Sequence, residues 1–135
     1  MKWLSASGLV LALASSTPAW ALEIGEEVDI SAASITALPC ALLAKESGDL
    51  TVLGSCPTFE VARGIVAFDV AEQQIYRIAP KRVHRYQLEK AFGGGSMDFV
   101  GKVVAIDPAT GIATVEVEEF SITPKPKPGA FKGCL

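Results

Sequence analysis

The chain has one histidine, three cysteines and no surplus of positive charge, and each scarcity removes a class of function. A single imidazole, His84, cannot build a His-rich metal site and leaves little room for His-driven acid–base chemistry. Three thiols fall one short of an all-cysteine zinc site and cannot make a disulfide scaffold. A net charge of −3 argues against a dedicated nucleic-acid binder, which carries a basic surplus. Also missing are a Gly-x-Ser-x-Gly nucleophile elbow and the C-x-x-C-H haem motif. Gly93-Gly94-Gly95 lacks the Gly-Lys-Ser/Thr ending of a phosphate loop and reads as a hinge. The expectation is a protein that is not an enzyme and holds no cofactor and no metal.

What is present is ample apolar material. Half of the 135 residues are hydrophobic and 20% are charged, which suits one folded domain. The first 21 residues read as a secretory signal. Lys2 gives a short basic start, Trp3 to Ala14 is apolar and uncharged, and Ala19-Trp20-Ala21 is an A-x-A cleavage pattern. That apolar run is shorter than the roughly 20 residues a membrane helix needs, and no later run is long enough. The expected protein begins at Leu22 and is periplasmic or secreted.

Export changes how the cysteines read, because thiols in an oxidising compartment pair. Cys40 and Cys56 bracket a segment with Gly48 and Gly54 in it and Pro57 beside it, and local loop geometry favours their pairing. The 17-residue loop would stabilise the fold by ~3 kcal/mol on the chain-entropy view. Cys134 is then left over, a flag for an intermolecular bond or a reactive thiol. Pairings of Cys134 with Cys40 or Cys56 stay open.

Strand signals dominate residues 22–123. Glu27 to Ile30 alternates with a period of two, and Leu50 to Leu53 reads as a short strand. Leu38 to Ala44 is apolar throughout, and periodicity does not decide between helix and buried strand. Phe59 to Val70 is the longest strand candidate, its parity slipping at Gly64 as at a bulge or a sharp bend, and Gln74 to Ala79 follows. Lys81 to Phe92, after Pro80 and before the triple glycine, predicts a short helix. Phe99 to Ile106 and Ile112 to Ile122 form a hairpin around Asp107-Pro108-Ala109-Thr110-Gly111. Val115 and Val117 face inward, and a bulge near Glu118-Glu119 is needed to bring Phe120 and Ile122 to the same side. The inventory predicts a mainly β fold: a small, strongly curved antiparallel barrel, OB-like, with one short helix between its third and fourth strands.

Two surfaces attract attention. Tyr76, Arg77, Lys81, Arg82 and Arg85 concentrate positive charge and phenol groups in an acidic protein, a candidate site for a small anion or glycan. Pairing with the acidic strand residues Glu116, Glu118 and Glu119 is the plainer expectation. Residues 124–135 form an extended tail in which Pro124, Pro126 and Pro128 alternate with Lys125 and Lys127, followed by Phe131 and Cys134. Proline-rich segments dock in grooves of partner proteins, with an aromatic as anchor. Met97 reads as a loop or rim residue. The functional expectation is an exported accessory or assembly subunit that binds a partner protein of an envelope complex. The alternative is a periplasmic protein that binds a small anionic ligand or glycan on the barrel face.

Overall fold

The computed structural model describes residues 22–126. The signal segment, and Lys127, Pro128, Phe131 and Cys134 of the tail, lie outside the described residues. Five strands close into a barrel: β1 (Glu27–Ala37), β2 (Ile65–Asp69), β3 (Gln74–Ile78), β4 (Ser96–Ile106) and β5 (Ala113–Thr123). Their order around the barrel is β1–β2–β3–β5–β4. Every neighbouring pair is antiparallel except β3 and β5, which run parallel and complete the closure. A short helix (Arg85–Ala91) joins the third strand to the fourth, as the OB-like pattern requires.

Alternation along the strands sets the interior. Ile30, Ile35, Phe99, Val103, Val115 and Val117 point into one buried cluster, with the Tyr76 and Phe99 rings meeting edge to face at 5.8 Å. Long strands in so narrow a barrel must bend, and bulges supply the bend. In β5 Val100 pairs with Glu119 while Gly101 pairs with Val117, so Glu118 is the extra residue. The bulge falls where parity demands it, and Phe120 and Ile122 pack on the core beyond it. A second irregularity lies in β1 between Ile30 and Ala33. There Ala32 adopts a positive φ of 54°, and its N–H donates to the Asp98 carboxylate at 2.6 Å.

The connection from β1 to β2 departs from the sequence expectations. Leu38–Ser47 is helix α1, started by Pro39 in its first turn and stopped by Gly48, whose N–H donates to the Ala44 carbonyl at 2.8 Å. The predicted strand Leu50–Leu53 is instead a helical turn, α2 (Thr51–Gly54), because Leu53 is drawn into a second hydrophobic cluster. The predicted strand from Phe59 is also corrected. Thr58–Arg63 is a 3-10 helix that ends at Gly64, with φ at 108°, and only Ile65–Asp69 is strand. The slip in parity at Gly64 therefore marks a change of element, not a bulge. The helix after β3 is shorter than expected: residues 80–83 are turn, and α3 covers Arg85–Ala91. Met97 is a fully buried barrel residue and not a rim residue.

Cys40 in α1 is bonded to Cys56 just past α2, with their Cα atoms 6.0 Å apart. The α1–α2 insertion lies on the outer face of the barrel. Ala41, Ala44 and Leu53 pack against Val66 and Phe68 of β2 and Ile75 of β3, with Ile112 closing the cluster from the β4–β5 loop. Thr36 is sealed in the buried interior of the protein, and its hydroxyl has no hydrogen-bond partner.

Candidate functional site

The basic residues do not form one site. The strand period places Tyr76 inside the barrel, 3% exposed, and Arg77 on the opposite face of β3. Burial, then the carboxylates of Asp69, Glu26 and Glu72, push the Tyr76 phenol up to about 12, so it is held as a protonated O–H. Lys81 is paired with Glu116 at 2.8 Å, one contact of the kind expected with the acidic strand face. Arg85 is paired with Glu89 at 3.0 Å and also donates from Nη2 to the Val61 carbonyl at 3.2 Å. Arg82 is exposed and, among the described residues, has no ion-pair partner. Arg77 likewise has none among the described residues, so of the five groups expected to converge one lies inside the barrel, two are held in ion pairs and two guanidiniums remain.

His84 is the N-cap of α3 and has a structural part to play. Its backbone N–H donates to Gln87 Oε1 at 2.8 Å, and its carbonyl accepts from the Gln87 N–H at 2.9 Å. Its ring stacks on that of Tyr86 with centroids 5.7 Å apart, and the Lys90 ammonium lies 5.8 Å from the Tyr86 centroid. Among the described residues no group of three His, Cys, Asp or Glu is placed to hold a metal.

The tail leaves the barrel from a fixed root. The Lys125 N–H donates to the Lys90 carbonyl at 3.1 Å, and the Gly95 N–H donates to the Ala91 carbonyl at 2.8 Å. A Cβ on Gly95 would lie 2.7 Å from Ala91 Cα and 2.8 Å from Lys125 N, and it would also strike the Thr123 carbonyl. The triple glycine is thus the seat of the tail: glycine allows three backbones to meet. Of the tail residues singled out from sequence, Pro124, Lys125 and Pro126 are exposed at this root.

The surface missed by sequence reasoning lies on the insertion. Pro39 and Leu43 border a groove of about 280 Å³ that runs over the Cys40–Cys56 bond and is completed by Val52, Pro57 and Glu60. Leu42 and Leu43 are exposed beside it, and Phe59 projects from the 3-10 helix with 75% of its surface in solvent. The usable signal was the uninterrupted apolar run Leu38 to Ala44, since a short helix at a domain surface cannot bury every side. Phe59 carried no such signal, because a strand reading set it on one face with Val61 and gave no reason to expect it in solvent. The connection that carries the groove also touches α3 and the triple glycine: Arg85 of α3 binds the Val61 carbonyl, and Gly93 lies beside the Gly54 carbonyl. No protein-family model, curated protein or solved structure matches the chain.

Proposed function

We propose that the protein is an exported, non-enzymatic accessory or assembly subunit that binds a partner protein of a cell-envelope complex. The groove over the disulfide and the neighbouring tail form its contact surface. The observation that carries this reading is the exposure of Leu42, Leu43 and Phe59 around an apolar groove on a helical insertion fastened by a disulfide. Contiguous exposed apolar surface marks protein interaction sites, and large side chains in a rigid setting cost little entropy on docking. The Cys40–Cys56 bond supports an oxidising compartment, in keeping with the signal-like start of the chain. The reading as an anion or glycan binder loses support, since Tyr76 lies inside the barrel and Arg85 is already engaged.

The test is a photo-crosslinking residue at position 43 in the full chain, used in the native envelope. A discrete adduct is expected, and it should disappear in Phe59→Ser and weaken when the chain stops after Pro126, which leaves the tail root intact. The thermal midpoint of both variants should stay that of the parent. An adduct that survives both changes, or none at all from positions 42, 43 and 59, refutes the reading.

A further inference from the structure

A second feature lies at the β2–β3 connection and shares no lining residue with the groove. A cavity of about 480 Å³, within the size range of small-molecule sites, is bounded by Leu22, Ile30, Lys45 and the β2–β3 connection, with Tyr76 among its walls. Two polar groups on its walls have unmet needs. Tyr76 is 3% exposed, its hydroxyl makes no hydrogen bond with any described residue, and its side chain lines this cavity. Asp69 is 5% exposed; its Oδ1 accepts from the Ala71 N–H at 3.2 Å, but no cation among the described residues pairs with it. Buried carboxylates are normally paired, and each has capacity for several donors.

The register brings these two together. Ala67 lies opposite Tyr76 and Asp69 opposite Gln74, so Asp69 and Tyr76 are diagonal neighbours on one face of adjacent strands. Asp69 and Glu72 set two carboxylates against the single ammonium of Lys45, which leaves the lining negative. Gln73 and Gln74 add two neutral amides, and Leu22 and Ile30 supply an aliphatic wall.

We propose that this cavity binds a small organic cation, a protonated primary amine on an aliphatic body, with the ammonium received by the Asp69 carboxylate and the Tyr76 oxygen and the body lying on Leu22 and Ile30. The site is independent of the partner-binding reading, because the groove shares none of these residues. Charge selects the ammonium: it offers the unpaired Asp69 carboxylate a charge-assisted donor and suits a lining of net negative charge, whereas an alcohol brings one uncharged O–H and a carboxylate is repelled.

The probes are hexylamine, hexanol and hexanoate, measured by calorimetry and thermal shift on the full chain as the cell produces it. Hexylamine should bind saturably and raise the thermal midpoint, while hexanol and hexanoate should not. Tyr76→Phe keeps the ring against Phe99, and Asp69→Asn keeps an oxygen for the Ala71 N–H. Each should weaken hexylamine binding about tenfold or more. Glu72→Gln, at an exposed position, cannot disturb the core and should weaken binding by a smaller factor. Amide resonances of Gln73 and Gln74 should move with hexylamine in the parent protein. The proposal is overturned if hexylamine shows no saturable binding, if hexanoate binds as well, or if affinity is unchanged in both Asp69→Asn and Tyr76→Phe.

Discussion

Removing the Cys40–Cys56 bond tests how the insertion is held to the barrel. The bond closes a loop of 17 residues, with a sequence separation of 16. In the unfolded chain, such a closure withholds conformational freedom worth about 3 kcal/mol. Cys40 and Cys56 are themselves buried, so replacing both by alanine adds a little lost packing. For a domain of this size a loss of 3 kcal/mol lowers the thermal midpoint by about 10–20 °C. The loss should also be local before it is global. The loop lies wholly within the connection between Ala37 and Ile65, which pair directly as the ends of β1 and β2, so the barrel can close without it. Urea denaturation followed by circular dichroism gives the magnitude, and hydrogen exchange gives the location. In the Cys40→Ala/Cys56→Ala protein, amides of α1 should exchange far faster than those of β4 and β5. A midpoint unchanged under non-reducing conditions, or uniform acceleration of every amide, would refute the reasoning.

Three further predictions follow from single sites. Thr36→Val keeps the branched shape in β1 and removes a buried hydroxyl without a partner, so it should stabilise the protein by about 1 kcal/mol in urea denaturation; a loss of stability would mean that the hydroxyl is bonded. Gly95→Ala forces a Cβ against two backbone segments, the end of α3 and the stretch from Thr123 to Lys125, and we expect a cost of about 1–3 kcal/mol, with faster exchange at the Lys125 amide. The last concerns pH. Tyr76 keeps its proton to about 12 in the fold but ionises near 10.0 in the unfolded chain, so the unfolded state loses a proton first and stability falls as pH rises from about 10, levelling beyond about 12. Below pH 10 both states are protonated and the contribution is fully present. Two units set an upper bound near 2.7 kcal/mol, and solvent at the cavity mouth reduces the expected loss to about 1–2 kcal/mol. Tyr76→Phe should flatten that part of the stability profile, and a profile identical to the parent's would show that the phenol is not the source.

Much of the barrel is written in local pattern, and the reasons can be named. The parity change after Val117 demanded one extra residue, and Glu118 is that residue. Pro80 and the triple glycine bracketed α3, although its start slipped to Arg85 because His84, and not a residue near the proline, supplies the cap. The insertion was less legible. Leu50 to Leu53 and Phe59 to Val61 are too short for period two and a helical turn to differ, and what selects the turn is distant: Leu53 packs on Val66 and Phe68. The candidate site failed for a different reason. Arg77, Lys81, Arg82 and Arg85 are close in sequence, but the strand period that served so well elsewhere already separates Tyr76 from Arg77. Carrying the alternation through Gln74–Ile78 would have placed the phenol inside.

The position of the insertion bears on what kind of recognition the fold can offer. An OB barrel presents ligands with the outer face of its second and third strands, flanked by the β1–β2 and β4–β5 loops. In this protein that face is occupied from within the chain: α1 and α2 are the β1–β2 connection, and Ile112 comes from the β4–β5 loop. The face is spent on packing, so the partner binding proposed above needs another surface. Helix α1 offers one. Its buried residues are small, Cys40, Ala41 and Ala44, with Leu38 half-buried at its start, while Leu42 and Leu43 face outward, which largely reverses the arrangement of an ordinary surface helix. Small residues against the sheet let the helix lie close over Phe68, so the covering of the barrel is complete without the leucines. About half of each leucine stays in water, and that exposure is a steady penalty. A helix built this way is stable as a cover and unfinished as a surface, and a second protein laid across Leu42, Leu43 and Phe59 would finish it.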